Sequence, residues 1–275
     1  MRIQIPTISD ICVTRKHRDA GFVMPEDHFH PYYELFYVNA GKCCFFLNDT
    51  LYSLSTGDFM LIAPNDLHHT LYMQEEDCDR YVLYYSKKHI LPELTENLTE
   101  FSKTFASSGH FSLQPAYIEA FSTLLEHMLS ENRLQDAYSP TLLSSYLHQL
   151  FCLILRHRID GAEELQLTGT KDMEVLQAAK YIYQNFASPL SLEEVAAVAG
   201  LSPTYFSRKF KQITGIGFKE YVNFVRMKNA TLELLSTDHS ITEIALNNGY
   251  TDGNYFKDSF KKVHGCSPRE YRKRE

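Results

Sequence analysis

Two histidines and a glutamate stand close together near the start of the chain, in the string HFHPYYELFYVNAG. Alternate residues of a β-strand point to the same face, so the spacing places His28, His30 and Glu34 side by side. The same face would carry the side chains of Tyr32, Phe36 and Val38. Two imidazoles and a carboxylate suit a divalent metal ion, the hydroxyl groups of an organic ligand, or a structural hydrogen-bond network. Of these three alternatives we favour the organic ligand, and we predict no metal or cofactor.

A second pair of histidines, His68 and His69, follows a run of strand-forming residues. Neighbouring strand residues point to opposite faces, so at most one of the two faces the interior. We assign His68 to the same site as Glu34. Tyrosine, histidine and glutamate on an aromatic wall suit a polyol, because rings pack against C–H groups while polar tips bond hydroxyls.

Residues 1 to 90 are predicted to form strands that position these groups. Short aromatic and β-branched runs are separated by Asn-Asp, Gly and Pro signals, as in YYELFYVNAG, KCCFFL, TLYSLSTGDFMLIAP and RYVLYY. The string HxHxxxE, followed by a glycine after six further residues, resembles the first motif of cupin barrels. The second cupin motif is poorer, because Asp66 stands where a glycine belongs and the final asparagine is missing.

Helical periodicity replaces the strand pattern after residue 90. Apolar residues recur at helical intervals from Ile118 to Leu129 and again from Thr141 to Arg158, which predicts a helical segment over residues 91–160. The stretch GAEELQLTGTKD, residues 161–172, has two glycines and no aromatic residue and is predicted to be a linker. Everything from residue 173 to 275 looks helical.

Charge divides the chain at the same linker. The chain has a formal net charge of -7, but residues 173–275 hold 14 Lys and Arg against 11 Asp and Glu. An acidic front half with ten of the 12 histidines and a mildly basic back half indicate two different roles. Contact with a polyanion is therefore expected only in the C-terminal part.

Two segments of that part repeat each other, SLEEVAAVAGLSPTYFSRKFKQITG from Ser191 and SITEIALNNGYTDGNYFKDSFKKVHG from Ser240. Each begins with a Ser-x-x-Glu capping box and continues with an alanine, a turn glycine and a Tyr-Phe pair. The turn glycines are Gly200 and Gly249. Each segment therefore predicts a helix-turn-helix.

These segments, the connecting Arg226 and Ala230, and the closing GCSPREYR resemble the AraC/XylS family of bacterial transcription regulators. The resemblance implies an α+β multidomain protein: a cupin-like β-barrel that binds a small molecule, frequently a sugar and without a metal, a helical dimerisation segment, and an all-α domain with two helix-turn-helix motifs. It also implies major-groove binding by the second helix of each motif, a homodimer, contact with RNA polymerase, and activation as the commoner behaviour. A helical bundle without a DNA role is the alternative.

A helical wheel selects the side chains that face the groove. With Phe206, Phe210 and Ile213 buried, the outward residues of the first motif are Thr204, Ser207, Arg208 and Lys211. In the second motif they are Asn254, Lys257, Asp258 and Lys261. Arginine and asparagine bind base edges, whereas lysines more often bind phosphate. Asp258 departs from the family pattern, and we expect Lys261 and Lys262 to neutralise it.

The sequence therefore predicts a ligand-responsive DNA-binding regulator and no enzyme. The alternative is a metal-dependent cupin enzyme fused to a DNA-binding module, with His28, His30, Glu34 and either His68 or His69 as ligands. Six cysteines without a CxxC pair indicate reduced thiols, and the longest apolar run is only Leu150 to Leu155. We expect a cytoplasmic protein.

Overall fold

The computed structural model describes residues 11–22, 30–72, 76–92, 94, 99–105, 107–160 and 171–274. They fall into two compact units, one within Met1–Gln166 and one within Leu167–Glu275. Ten of the twelve predicted linker residues, 161–170, lie outside the described residues. Of the helices in the described ranges, none has the length and apolar character needed to cross a membrane.

The described part of the first unit contains one antiparallel sheet of eight strands. Its strands are β1 (Cys12–Arg18), β2 (Tyr33–Leu47), β3 (Thr50–Ser55), β4 (Asp58–Ile62), β5 (His68–Leu71), β6 (Cys78–Tyr85), β7 (Gly109–Leu113) and β8 (Arg158–Asp160). The order is β1-β6-β2-β4-β7-β8, and β3 and β5 also pair with β2. The first half of β2 pairs with β4 and β6 and its second half with β3 and β5, so the sheet folds over along β2. We call the space that this folded sheet encloses the barrel interior.

Strand β2 is continuous where the sequence suggested two separate runs. A register shift between Val38 and Ala40 marks a β-bulge beside Gly41. Gly41 has φ of +82°, and a Cβ there would lie 1.9 Å from the carbonyl oxygen of Asp77. Glycine at this point therefore bends the strand and admits the start of β6, instead of ending the strand.

The sheet separates two apolar cores. The interior side of the sheet carries one apolar cluster, whose side chains include Phe36, Val38, Phe45, Leu54, Met60 and Val82. The opposite face of the sheet packs against α2 (Ile118–Leu134) and α3 (Ser139–His157), while a shorter helix, α1, covers Thr99–Phe105. Both long helices agree with the predicted periodicity to within a few residues, and their buried faces contact the chain's own sheet.

The predicted helical segment 91–160 also supplies two strands. β7 pairs with β4, and β8 pairs with β7, so this segment extends the same sheet. Its short strands carry few of the alternating apolar residues by which a strand is recognised, because β8 has only three residues and no buried one. The structure therefore shows no break in the sheet at residue 90.

The second unit is helical throughout its described residues. Its helices are α4 (Lys171–Asn185), α5 (Leu192–Val198), α6 (Pro203–Thr214), α7 (Phe218–Ser236), α8 (Ile241–Asn247), α9 (Gly253–His264) and α10 (Pro268–Arg274). The pairs α5–α6 and α8–α9 are the two predicted helix-turn-helix motifs. The connecting helix α7 has 19 residues, from Phe218 to Ser236.

The two motifs begin with serine caps that differ in detail. Ser240 and Glu243 form a complete capping box at α8. Ser191 accepts a hydrogen bond from the Glu194 amide at α5, but the Glu194 carboxylate accepts one from the Tyr181 hydroxyl instead. The first box is thus only half formed, because a tyrosine on α4 provides a competing donor.

Two arginines at corresponding places tie each motif to the helix before it. Arg226 of α7 donates to the carbonyl oxygens of Phe186 and Ser188, just beyond the end of α4, at 2.8 and 2.9 Å. Arg272 of α10 donates to the carbonyls of Leu234 and His239 around the end of α7, at 3.0 and 2.8 Å. Cations at helix C-termini satisfy carbonyls that have no partner within the helix. The repeat therefore extends to these arginines.

Candidate functional site

A buried carboxylate lies between two histidines in the barrel interior. Glu34 comes from β2, His68 begins β5, and His30 precedes β2 by three residues. The Glu34 Oε2 atom is 2.8 Å from His30 Nε2 and 3.2 Å from His68 Nε2. All three side chains are at most 3% exposed. The structure thus brings together three of the predicted residues, whereas His28 lies outside the described residues.

Backbone carbonyls fix the orientation of both imidazole rings. Nδ1 of His30 is 3.0 Å from the carbonyl oxygen of Tyr32, and Nδ1 of His68 is 2.9 Å from that of Asp66. A carbonyl only accepts, so Nδ1 carries the proton in each ring and Nε2 is directed at Glu34. The two rings are therefore set to present the same nitrogen to one carboxylate.

The charges of the cluster support one another. Burial acts to raise the pKa of the Glu34 carboxyl, but the charge of His68 and hydrogen bonds from both histidines outweigh it and hold this pKa well below its usual range. Burial acts to lower the pKa of His68, but Glu34 overcomes this and raises it. Each of the two groups thus stabilises the charged form of the other.

The same three groups have the donor atoms of a metal site. Their ligand atoms lie within 4.8 Å of one another. Two imidazole nitrogens and a carboxylate oxygen suit zinc, iron or manganese, and the Nδ1 hydrogen bonds are the kind that orient metal-binding histidines. His30, Glu34 and His68 are accordingly the residues that could hold an ion.

Aromatic rings surround the cluster. The His30 ring lies 5.1 Å from the ring of Tyr84 and 6.2 Å from that of Tyr32. Phe45 stacks on His68 at 5.9 Å and contacts Phe36 edge to face at 4.9 Å. Of the predicted aromatic residues, Tyr32 therefore lies near His30, and Phe36 reaches His68 only through Phe45.

Strand pairing separates His68 from His69. His68 is paired with Leu47 and His69 with Phe46, so their side chains point to opposite faces of β5. Only His68 joins the cluster with Glu34.

Strand β6 contributes interior residues that the sequence interpretation missed. Tyr84 pairs with Glu34 across the strands, and its hydroxyl is hydrogen-bonded to that carboxylate. Burial and the Glu34 charge raise the pKa of Tyr84, which keeps its hydroxyl protonated. Arg80 is also buried and donates from Nε to the hydroxyl of Tyr72 at 2.6 Å. The alternation in RYVLYY, in which residues 80, 82 and 84 share a face, was the available signal.

The second unit exposes the predicted polar faces of both recognition helices. On α6, Phe206, Phe210 and Ile213 are buried, Thr204, Arg208 and Lys211 are exposed, and Ser207 is half-buried. The Arg208 guanidinium lies 5.4 Å from the centre of the Tyr205 ring. This cation–π contact holds the long side chain against its own helix and limits its rotamers.

The α9 helix presents an outward face of similar shape and different charge. Asn254, Lys257, Asp258 and Lys261 are all exposed, while Phe256 and Phe260 are buried. The expected neutralisation of Asp258 is not formed: within the described chain, neither Lys261 nor Lys262 makes an ion pair with it. Tyr255 is 58% exposed beside this face and was not singled out from the sequence.

Comparison with known proteins gives two family matches that together span both units. An AraC-like ligand binding domain matches residues 11–151, and a helix-turn-helix domain matches residues 195–274. A folded sheet with a polar interior cluster and a double helix-turn-helix define a DNA-binding transcription regulator with a ligand-binding domain. The chain belongs to the AraC family.

Individual relatives include two curated regulators and one solved structure. The HTH-type transcriptional activator RhaR of Yersinia pestis bv. Antiqua (strain Angola) is 24% identical over 264 residues, which is 96% of this chain and 89% of RhaR. The HTH-type transcriptional activator RhaS of Enterobacter sp. (strain 638) is 28% identical over 249 residues, 90% of this chain and 87% of RhaS. The C-terminal domain of AraT, a response regulator from Geobacillus stearothermophilus, has 42% identity, covers 37% of this chain and 85% of its own, and gives a TM-score of 0.36.

Proposed function

We propose that the first unit senses a small polyol, of the sugar class, in the barrel interior. Its binding residues are His28, His30, Tyr32, Glu34, Phe36 and His68. The observation that carries this proposal is the buried Glu34 carboxylate held between two oriented histidines on an aromatic wall. Such groups exchange hydrogen bonds with ligand hydroxyls while the rings contact the C–H faces.

The mechanism requires binding and no covalent chemistry. A ligand that binds one arrangement of the sensor more tightly than another shifts the population toward it. The DNA affinity then changes by a factor that the difference in ligand affinity limits. We propose on this basis that the protein is not an enzyme, and that like its named relatives it activates transcription.

Replacing Glu34 with Gln is expected to abolish the response to the ligand. The amide has no negative charge to stabilise a protonated His68, and its NH2 group donates where the carboxylate only accepts. DNA affinity without ligand should remain within a few-fold, because the reading unit is a separate compact body. Gel-shift titrations with and without ligand measure both quantities, and Glu119→Gln, an exposed change on α2, is the matched control. Loss of folding in Glu34→Gln would favour a purely structural role for the cluster.

The metal-binding geometry of His30, Glu34 and His68 favours a second candidate, a metal-dependent enzyme fused to the DNA-binding unit. Metal analysis of protein purified without chelator separates the two. Stoichiometric zinc, iron or manganese that disappears in His68→Ala would support the enzyme. Metal well below one equivalent would support the sensor.

The DNA side is proposed to use Thr204, Ser207, Arg208 and Lys211 of α6 and Asn254, Lys257, Asp258 and Lys261 of α9. Arginine can bridge guanine O6 and N7. Arg208→Ala should therefore cost about 1 to 3 kcal/mol of binding free energy on the specific site and relax the sequence preference at one base pair. Lys211→Ala should weaken all sequences alike, because a phosphate contact carries no sequence information. Affinities on specific and random duplexes measure the difference. If Arg208→Ala lost equal affinity on the specific and the random duplex, Arg208 would contact only phosphate.

We further propose a homodimer that acts in the cytoplasm, where promoter DNA is found, and contacts RNA polymerase there. The outward face of α3 supports the dimer, since it forms an open groove of about 960 Å³ with Leu91 and Leu124. Sedimentation of the full chain tests this oligomeric state. A monomer at micromolar concentration would contradict it.

A further inference from the structure

Three basic residues lie on the interior-facing side of strands β1 and β6. Arg80 alternates with Cys78 and Val82, whose side chains belong to the interior core. Lys16 pairs with Arg80 across the strands, and Arg18 pairs with Cys78. Paired residues of antiparallel strands share a face, so all three side chains start from the interior side of the sheet. We call Lys16, Arg18 and Arg80 the basic cluster.

The basic cluster has aromatic neighbours. The Arg80 guanidinium lies 5.1 Å from the Phe36 ring, and its Nε donates to the Tyr72 hydroxyl. The Arg18 guanidinium lies 4.2 Å from the Phe22 ring, and Arg18 Nε is buried without an acceptor among the described residues. The two arginines are thus held against ring faces, and Arg18 keeps one buried donor that no described residue accepts.

No carboxylate in the described part of the chain forms an ion pair with the basic cluster. The adjacent Asp79 projects to the other face of β6, where it binds Arg15. Asp77 accepts a hydrogen bond from the Ala20 amide. Arg80 is only 8% exposed, and burying a guanidinium without a counter-charge is strongly unfavourable.

We infer that the ligand of this sensor is an anion, a polyol that bears a carboxylate or phosphate group bound by Arg80, with Arg18 and Lys16 at the rim. This inference rests on the proposed sensing function and deepens it by naming the ligand's charge. The planar guanidinium fork matches the paired oxygens of a carboxylate or phosphate, and such charge-assisted hydrogen bonds are stronger than neutral ones.

The basic cluster and the Glu34 cluster suit the two ends of one ligand. Tyr84, which is bonded to Glu34, lies four residues from Arg80 on the same face of β6, about 13 Å along the strand. The long Arg80 side chain and a five- or six-carbon polyol together span that distance. The anionic group then meets the arginine, and the hydroxyls meet Glu34, His30 and His68.

The test compares neutral sugars with their acids on the full chain. The probes are galactose, galacturonate and galactose 6-phosphate, and glucose, gluconate and glucose 6-phosphate, measured by thermal shift and titration calorimetry. At least one anionic probe should bind, and its neutral parent should bind at least ten-fold more weakly. The carboxylate and phosphate members show which anion is preferred.

Variants of Arg80 distinguish an anion contact from a structural role. Arg80→Met should weaken the anionic probe at least ten-fold and leave any weak binding of the neutral parent unchanged, whereas Arg80→Lys should restore part of the loss. Arg15→Met, which removes a cation from the opposite face of the same sheet, should leave probe affinity unaltered.

Four outcomes would overturn the inference: no anionic probe binds, a neutral sugar binds as tightly as its acid, Arg80→Met keeps the affinity for the acid, or Arg80→Met weakens acid and neutral sugar equally. A neutral sugar whose binding is lost in Glu34→Gln would leave the sensing function standing. An anion that binds through Arg80 without changing DNA affinity would support the anion site and contradict the sensing function.

Discussion

Gly249→Ala is expected to destabilise the second helix-turn-helix motif by about 3–5 kcal/mol, within the range of severe single substitutions. Gly249 has φ of +77°, and a Cβ there would lie 2.7 Å from the Ala187 carbonyl oxygen and 2.9 Å from Arg226 Nε. The left-handed backbone alone costs a side chain about 1–2 kcal/mol. Displacement of Arg226 would also break its hydrogen bonds to the carbonyls beyond α4.

The first motif provides a matched control. Gly200 has φ of +64°, and a Cβ there would have no neighbour within 4 Å. Gly200→Ala should therefore cost only the backbone contribution. Amide hydrogen exchange of the full chain locates the effect, and protection in α8 and α9 should fall sharply only in Gly249→Ala. Equal loss of protection in the two variants would show that the contact with Arg226 adds nothing.

Each protomer is expected to bind two short DNA sequences, called boxes here, one with each motif. Insertion of five base pairs between the two boxes is expected to remove the contribution of the second motif to the affinity. The connecting helix α7 has 19 residues and spans about 28 Å at 1.5 Å per residue, close to the ~34 Å of one DNA turn. A spacer of this length should place α6 and α9 in successive major-groove segments on one face. Five base pairs rotate the second box by about half a turn.

Ten inserted base pairs restore the face but lengthen the distance, so binding should recover only in part. Affinity measurements and footprints on the native and the lengthened sites check both changes. Unchanged affinity after the five-base-pair insertion would mean that only the first motif binds DNA. The exposed carboxylate of Asp258, which neither Lys261 nor Lys262 neutralises, would then explain why the second motif does not bind DNA.

Local signals explain why the second unit was predictable from sequence. Serine caps, turn glycines and phenylalanines four residues apart are local signals, and they predicted both helix-turn-helix motifs. The Arg226 and Arg272 contacts reach helix ends 33 to 40 residues away in sequence, and their partners could not be predicted.

Long-range pairing explains what the sequence could not give in the first unit. The alternation around Glu34 predicted a shared face with Phe36, and His68 was assigned to the same site, but only the pairing of β5 with β2 shows that His68 Nε2 lies 3.2 Å from that carboxylate. The joining of β8 to β7 depends on residues about 45 positions apart, and β8 is too short to show a pattern of its own. Arg80 was overlooked because its burial follows from the pairing of β6 with both β1 and β2.

Selection of binding sites from a random DNA library by the full chain is the most direct test of sequence-specific DNA binding. We expect enrichment of sites with two short boxes about 10 base pairs apart, and selection with Arg208→Ala should lose preference at one position of one box only. Two results together would contradict a sequence-specific regulator: the selection enriches no sequence, and the affinity for every duplex falls equally as the salt concentration is raised.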